Sequence, residues 1–111
     1  SPRAVACVST THHVAWLQQA GHPSYGPVPV ATGGPAQRTP HGTFHVVWKD
    51  AEHTSSTYGT DMPFSVFFAA GGIAFHTGPL DEPSHGCVHL PAAAAPVFFA
   101  ALARGDRVEV F

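Results

Sequence analysis

Short apolar segments separated by turn residues recur along this chain, and some of them alternate apolar and polar residues with a period of two, a pattern typical of strands that bury one face. Residues 43–49, for example, place Phe44, Val46 and Trp48 on the same face. Similar segments predict strands at residues 4–9, 13–19, 63–70, 73–77 and 106–111. Residues 27–32 interleave apolar side chains with prolines, which cannot donate to a ladder, so this strand is expected at a sheet edge. Residues 20–26 between the second strand and this one are predicted to form a turn.

One segment departs from this alternation and predicts a helix, at residues 90–105 near the C-terminus. Pro91 suits a first helical turn and Gly105 suits the stop after Arg104, while Pro96 delays the regular part to about Val97. The residues predicted to form its core-facing stripe are Val97, Phe98, Ala101 and Leu102. The pattern therefore predicts a mainly β fold with one C-terminal α-helix.

The polar segment at residues 50–61 is predicted to be an exposed loop or a flap over a site. Trp16 and Trp48 lie on alternating strands and are predicted to be core residues, whereas His12 and His13 are expected to be exposed. Neither a repeat nor a linker divides the chain. We therefore expect residues 1–111 to form a single domain.

Composition narrows the class of protein. The chain has 111 residues, of which 44% are hydrophobic and 11% charged, so a packed core is expected and disorder is not. Its five Lys and Arg residues are scattered and the net charge is −2, so nucleic acid is not an expected partner. No apolar run is long enough to predict a membrane span.

Residues 83–91, PSHGCVHLP, carry the most reactive chemistry in the chain. The thiolate is the nucleophilic form of cysteine, and a neighbouring imidazole can take its proton. His76, His85 and His89 are close to Cys87 in sequence, and the predicted helix follows the cysteine. Gly86 allows close backbone approach, so amide N–H groups around Cys87 can form an oxyanion hole. These features suit acyl transfer through a thioester.

Other interpretations of Cys87 remain open on the residues alone. It can be a small buried apolar residue, or it can form a disulfide with Cys7. The set His76, His85, Cys87 and His89 contains common zinc ligands. Paired ligand spacing such as C-x-x-C or H-E-x-x-H is missing, so these residues favour a nucleophile only slightly over zinc.

Three motifs resemble the L,D-transpeptidase (YkuD-type) catalytic domain family, and with the opening strands and VATGGP at residues 30–35 the resemblance covers nearly the whole chain. They are SHGC at residues 84–87 with FHTG upstream, the turn TPHGTF at residues 39–44, and the strand entry DMPFSVFF at residues 61–68. The resemblance implies a β-sandwich or barrel-like YkuD-type fold. It also implies a cysteine acyltransferase that acts on peptidoglycan stem tetrapeptides, and it implies no metal or organic cofactor.

The resemblance assigns a role to each catalytic candidate. Cys87 would attack the diaminopimelate carbonyl, form a thioester and release D-alanine. His76 would be the base and Thr77 would orient it, while His85 would shape the loop through hydrogen bonds. Backbone amides near His85, Gly86 and Cys87 would hold the oxyanion. Transfer to an acceptor amine gives a 3→3 cross-link, and transfer to water gives an L,D-carboxypeptidase.

The substrate-binding candidates are Ser84, His89, Met62 and Phe64, of which Phe64 is equally suited to the core. His89 stands where the family commonly has Arg or Asn, and the loop from His76 to Ser84 is short, so the acceptor side is expected to differ. Peptidoglycan stem peptides are the expected partners, carbapenem-type β-lactams are expected covalent inhibitors, and the expected location is extracytoplasmic, in the periplasm or cell wall of a bacterium.

Two other functions remain as alternatives. One is a zinc-dependent hydrolase or zinc-binding module that uses His76, His85, Cys87 or His89. The other is a non-catalytic wall-binding domain in which the SHGC element has no chemical role.

Overall fold

The computed structural model describes residues 5–56 and 58–111, in which nine strands form two sheets. The strands are β1 (Val5–Ser9), β2 (Val14–Gln19), β3 (His22–Pro29), β4 (Gly42–His45), β5 (Trp48–Thr54), β6 (Asp61–Ala69), β7 (Ile73–Thr77), β8 (Val88–Leu90) and β9 (Arg107–Val110). The one helix of these residues, α1, spans Ala95–Ala101. The mainly β fold with a helix near the C-terminus is therefore confirmed.

The first sheet has the strand order β3-β2-β1-β9-β4, and the second has the order β5-β6-β7-β8. Strands β7 and β8 run parallel, as do β1 and β9, while the other pairs are antiparallel. One apolar core joins the two sheets with α1, and its largest fully buried side chains include Phe75, Phe98, Leu17 and Leu90. Phe98 of α1 reaches both sheets, because its ring lies 6.1 Å from that of Tyr25 and 5.2 Å from that of Phe75.

The strand predicted at residues 43–49 is wrong, because the chain changes sheets in its middle. The N–H of Val46 donates to the carbonyl of Asp106, at the edge of the first sheet, at 2.8 Å. The N–H of Val47 then donates to the carbonyl of Phe67 in the second sheet, also at 2.8 Å. Alternation continues through this point, so periodicity alone does not reveal the break.

The core prediction for the two tryptophans is also wrong. Trp48 begins an edge strand and is 46% exposed, with its ring stacked on Phe67 at 4.4 Å. Trp16 is half-buried outside the central core, where it packs edge-on against Phe111 at 5.9 Å. Both rings lie on outer faces of the sheets, where aromatic pairing rather than full burial holds them. His12 and His13 are exposed, as predicted.

Residues 50–61 form the arms and tip of the β5–β6 hairpin rather than an irregular loop, with Thr57 outside the described residues. Strand β5 is polar because it is a sheet edge with much of its surface in solvent. The predicted turn at residues 20–26 is likewise reduced, since β3 already begins at His22. Strand β3 does lie at a sheet edge, as its prolines predicted, although it ends at Pro29. Of the first predicted strand, Ala4 lies outside the described residues.

The helix is shorter than predicted. It starts before Val97, because Pro96 occupies a first-turn position where no intrahelical N–H is needed. It ends at Ala101, and the next free N–H, that of Ala103, donates to the Asp106 carboxylate at 2.8 Å. Phe98 and Leu102 are buried as predicted, but Ala101 of the predicted stripe is exposed. In the described part of the chain, no helix has the length and apolarity needed to cross a membrane.

Candidate active site

The parallel pair β7–β8 places Cys87 and His76 on the same side of the second sheet. Phe75 pairs with Val88, and both side chains are buried in the core. Because side chains alternate, His76 on β7 and Cys87, one residue before β8, point to the opposite, outer face. They are diagonal neighbours across the pair, a relation that aromatic side chains can span.

This outer face forms the floor of a cavity of about 350 Å³, which is within the size range of small-molecule sites. Its lining residues are His53, Ser55, Ser56, Tyr58, Thr60, Met62, Phe67, Gly71, Gly72, Ile73, His76, His85, Cys87 and His89. Five sequence-predicted site residues therefore share one cavity: Met62, His76, His85, Cys87 and His89. Met62 is buried at its base in a small apolar cluster with Phe67 and Ala74, against which Cys87 packs.

His76 is buried and held in one tautomer. Its Nδ1 lies 2.8 Å from the backbone carbonyl of Thr77, which can only accept, so Nδ1 carries the proton and Nε2 has a free lone pair. Burial lowers the pKa of His76 to about 4, and repulsion by His89 and His53 adds to this effect, while the Thr77 hydrogen bond opposes it. His76 is therefore neutral at pH 7 and can accept a proton.

Thr77 thus orients the histidine through its main chain. The sequence prediction gave this role to a small polar side chain, but the contact is made by the carbonyl oxygen. Any residue at this position supplies the same carbonyl, so the identity of the side chain is not what fixes the His76 ring.

Cys87 presents a partly buried thiol to the cavity. Its Sγ donates to the carbonyl of Gly72 at 3.4 Å. Burial raises the pKa of the Cys87 thiol above its ordinary value, and a hydrogen bond with the Ala74 backbone partly opposes this. A raised thiol pKa beside a lowered imidazole pKa makes the resting pair neutral.

The loop before Cys87 is held in shape by Ser84 and Thr39. The Ser84 hydroxyl donates to the carbonyl of Cys87 and accepts from the N–H of Gly86 at 3.1 Å. The Thr39 hydroxyl, from the TPHGTF turn, donates to the carbonyl of Gly86 at 2.7 Å. Ser84 is buried and its hydroxyl is used within the loop, so it positions the nucleophile rather than lining the cavity.

Gly86 is required at its position by the backbone and by packing. Its φ is +119°, and a Cβ atom there would lie 2.8 Å from Ile73 Cδ1. The N–H of Gly86 already donates to the Ser84 hydroxyl, so it is not free to bind an oxyanion, in contrast to the prediction. The N–H groups of His85 and Cys87 make no hydrogen bond to another of the described residues, and they are the donors left for an oxyanion.

His85 shapes the site through stacking instead of the predicted hydrogen bonds. Its exposed ring stacks on Tyr58 at 3.9 Å with an interplanar angle of 14°. The Tyr58 hydroxyl in turn accepts a hydrogen bond from Gln37 Nε2 at 2.6 Å. The tip of the β5–β6 hairpin is thereby fastened over one side of the cavity.

His89 lies beside His76 and connects β8 to the short loop after β7. Its ring packs edge-on against His76 at 4.8 Å, and its Nδ1 bonds the carbonyl of Pro79 at 2.8 Å. A Cβ atom at Gly78 would lie 2.6 Å from the His89 ring, so the loop glycine makes room for the imidazole. His89 therefore combines loop anchoring with a place on the cavity wall.

Phe64 lies away from this cavity. Its backbone has a φ of +58°, and its ring packs edge-on against Phe99 of α1 at 5.7 Å. It borders the central core, which is the other role that the sequence allowed.

Sequence reasoning did not single out several residues that line the cavity, among them His53 and Tyr58. Both lie in the segment interpreted as an exposed loop or flap, His53 on the edge strand β5 and Tyr58 at the hairpin tip. The cross-strand pair of His53 and Met62 places this second imidazole against a predicted groove residue.

The structure leaves the zinc and disulfide interpretations of Cys87 without a geometric basis. Within residues 5–56 and 58–111, no group of three or more His, Cys, Asp or Glu residues is arranged to hold a metal ion. Cys7 and Cys87 are both free. Cys7 alternates with the core residues Ala6 and Val8, so it points to the outer face of the first sheet, on the far side of the molecule from Cys87.

Comparison with known proteins identifies the class of this arrangement. The family of L,D-transpeptidase catalytic domains matches residues 3–110. The chain therefore belongs to that family and is an L,D-transpeptidase-type enzyme domain. No curated protein sequence matches it.

Solved structures agree with this assignment. An L,D-transpeptidase from Stackebrandtia nassauensis is 31% identical with a TM-score of 0.93, covering 98% of this chain and 55% of that one. The LD transpeptidase LdtMt1, in complex with imipenem, is 24% identical with a TM-score of 0.90, covering 100% and 60%. L,D-transpeptidase 3 from Mycobacterium tuberculosis, in complex with a faropenem-derived adduct, is 23% identical with a TM-score of 0.86, covering 99% and 60%.

The last two identities are low enough that these likenesses show the fold alone, which is the YkuD-type fold that the motifs implied. The chain spans 55% to 60% of the length of these three structures.

Proposed function

We propose that this domain catalyses acyl transfer between peptidoglycan stem peptides through a thioester on Cys87. The observation that carries the proposal is the placement of Cys87 and His76 on one cavity wall, with His76 Nε2 free to accept a proton. The donor is a stem tetrapeptide, and the bond cleaved joins diaminopimelate to the terminal D-alanine.

In the first half of the reaction, the Cys87 sulfur attacks the diaminopimelate carbonyl while its proton passes to His76 Nε2. The carbonyl oxygen gains negative charge and accepts hydrogen bonds from the His85 and Cys87 amides, the free donors of the loop. Collapse of the tetrahedral intermediate breaks the C–N bond. His76 returns the proton to the departing amine, D-alanine leaves, and a thioester remains.

In the second half, an acceptor attacks the thioester carbonyl and the Cys87 sulfur leaves. An amine from a second stem gives a 3→3 cross-link, whereas water gives the L,D-carboxypeptidase product. Both outcomes restore the thiol. Tyr58 holds the hairpin tip over one side of the cavity. Because this limits the entry of water, it favours attack by a bound acceptor amine over hydrolysis.

The same chemistry accounts for inhibition by β-lactams. A strained lactam carbonyl offers Cys87 the electrophile that the donor peptide offers, without a leaving group that diffuses away. Imipenem and a faropenem-derived adduct occur with structurally similar enzymes. Peptidoglycan as substrate implies a location outside the cytoplasmic membrane, in the periplasm or cell wall of a bacterium.

The test is the intact mass of the protein after incubation with a carbapenem, compared between the parent and the Cys87→Ala variant. We expect one adduct on the parent and none on the variant. Incubation with a diaminopimelate-containing tetrapeptide should then release D-alanine with the parent only. An adduct on Cys87→Ala, or release of D-alanine by that variant, would contradict the proposal.

A further inference from the structure

A second imidazole, that of His53, lines the cavity that holds Cys87 and is hydrogen-bonded to a carboxylate outside it. His53 lies on β5 and its Nδ1 is 3.2 Å from the Asp50 carboxylate. Its ring packs edge-on against two aromatic rings that are stacked on each other, Trp48 at 5.5 Å and Phe67 at 4.9 Å. The side chain is 24% exposed, so it remains accessible from the cavity.

The pair has the geometry of an oriented base. An ionised carboxylate only accepts hydrogen bonds, so Nδ1 of His53 carries the shared proton and Nε2 has a free lone pair. His53 is also electrostatically coupled to the catalytic histidine, since its charge contributes to lowering the pKa of His76. The two imidazoles therefore act in one cavity, His76 on β7 and His53 two strands away on β5.

The second half of acyl transfer has a chemical requirement that His76 does not meet. An aliphatic acceptor amine is protonated at pH 7, because alkylammonium groups have pKa values of about 10. It must lose one proton before its nitrogen has a lone pair to attack with, and a second proton as the amide forms. His76 Nε2 has a single lone pair and can take only one of these two protons, so the other proton needs a second acceptor.

We propose that His53, held by Asp50, is the base that deprotonates the incoming acceptor ammonium. This inference rests on the proposed acyl transfer and adds a catalytic residue on the acceptor side. Asp50 is a positioning residue, because it acts by holding the His53 ring.

The proton and bond changes balance as follows. The acceptor R–NH₃⁺ gives one proton to His53 Nε2 and becomes R–NH₂. Its lone pair forms the new C–N bond while the thioester C–S bond breaks, and the electron pair of that bond goes to the Cys87 sulfur. The second nitrogen proton passes through His76 to the sulfur, which restores the thiol. His53 then releases its proton to solvent.

The charges around His53 suit a cationic acceptor. Asp50 and Glu52 on its own strand and Asp61 on the neighbouring strand line an adjacent pocket, which shares His53 with the cavity of Cys87. Besides His53, the titratable residues that line the cavity of Cys87 are Tyr58, His76, His85, Cys87 and His89, and none of them is a carboxylate. An ammonium group is therefore attracted to the His53 side of the cavity, where it meets the proposed base first.

The experiment compares two amine acceptors on the acyl-enzyme formed from a stem tetrapeptide. One is a diaminopimelate-containing stem peptide, an alkylamine that arrives protonated. The other is methoxyamine, a weakly basic amine that is already neutral at pH 7. His53→Gln should slow transfer to the alkylamine by on the order of 10²-fold, the lower range of general base catalysis. Transfer to methoxyamine should slow far less, and raising the pH should restore the alkylamine rate.

Asp50→Asn should also slow transfer to the alkylamine more than transfer to methoxyamine, but its effect on the alkylamine rate should be smaller than that of His53→Gln. His22→Gln, which removes an exposed imidazole from β3, is the matched control and should behave like the parent. Equal losses with both amines, or no loss with either, would overturn the role of His53. Should His53→Gln fail to fold, the amine pair applied to Asp50→Asn decides the question. Failure of the parent to form any acyl-enzyme would instead refute the proposed function itself.

Discussion

At the scale of single residues, burial acts on Cys87 and His76 in opposite directions. Desolvation disfavours whichever form is charged, so it raises the pKa of the thiol and lowers that of the imidazole. Both changes oppose a preformed thiolate–imidazolium pair. In the proposed mechanism, the Cys87 thiol therefore loses its proton only when a substrate carbonyl is present to receive the sulfur.

The pH dependence of adduct formation follows from this neutral pair. His76 must be unprotonated to take the thiol proton, so the rate should be constant around neutrality and fall as the pH drops through about 4. The measurement is the rate of carbapenem adduct formation by mass spectrometry after brief exposure to each pH. An acidic limb near 6.5, the ordinary histidine value, would show that His76 is not held in the buried, Thr77-bonded state.

Ser84 is the residue whose removal should cost most in the loop. Ser84→Ala leaves the buried Gly86 N–H without its acceptor and the Cys87 carbonyl without its donor. An unsatisfied buried group costs about 1–3 kcal/mol, so we expect the free energy of unfolding to fall by that amount. Denaturant titration measures this loss, and adduct formation should slow in parallel.

The matched control for Ser84 is Ser24→Ala, which removes an exposed hydroxyl from β3. It should leave the free energy of unfolding within about 0.5 kcal/mol of the parent value, and the rate of adduct formation should match that of the parent. A Ser84→Ala variant as stable as this control would show that the loop keeps its shape without the Ser84 hydrogen bonds.

At the scale of secondary-structure elements, Tyr58 connects the tip of the β5–β6 hairpin to the loop before Cys87. Tyr58→Phe keeps the stacking on His85 but loses the hydrogen bond from Gln37, whereas Tyr58→Ala loses both. Since Tyr58 is exposed, neither change should lower the free energy of unfolding by more than about 1 kcal/mol.

The functional readout for Tyr58 is the hydrolysis of the acyl-enzyme. Loss of the fastening admits water, so hydrolysis should increase from the parent through Tyr58→Phe to Tyr58→Ala. Hydrogen exchange at the amides of Tyr58 and Gly59, which bond to Ser55, should accelerate in the same order. Unchanged hydrolysis in Tyr58→Ala would show that the hairpin tip does not shield the thioester.

The elements also explain which features the sequence could predict. Cys87 and its loop could be predicted because Gly86 and the neighbouring motif are local in sequence. The change of sheet at Val46 and Val47 could not, because it depends on carbonyls from Asp106 and Phe67, far along the chain. His53 was missed for a related reason, since a polar edge strand has the same composition as an exposed loop.

At the scale of the whole molecule, the two sheets keep the chemistry on one outer face. The core fills the space between them. His76 and Cys87 lie on the outer face of the second sheet, and their strand neighbours Phe75 and Val88 are packed in the core. Cys7 lies on the opposite outer face, so an intramolecular disulfide with Cys87 would require the sandwich to open. The site therefore draws its rigidity from the same apolar layer that stabilises the fold.

Burying His76 in this face links the stability of the molecule to pH. The pKa of His76 is about 4 when folded and 6.5 when unfolded, so the unfolded chain binds more protons between these values. The stability that the neutral, buried His76 contributes is fully present above pH 6.5, and it is lost as the pH falls toward 4. At 1.36 kcal/mol per pKa unit, the loss amounts to about 3 kcal/mol.

Denaturant unfolding at several pH values between 7 and 4 tests this linkage. The parent should lose stability along this range with a steeper slope than His76→Gln, which has no imidazole to protonate on unfolding. His22→Gln lacks an exposed imidazole and should keep the parent slope. Parallel slopes for the parent and His76→Gln would mean that His76 titrates alike in both states. Burial would then not explain the low pKa of His76, and it would not explain why the resting Cys87–His76 pair is neutral.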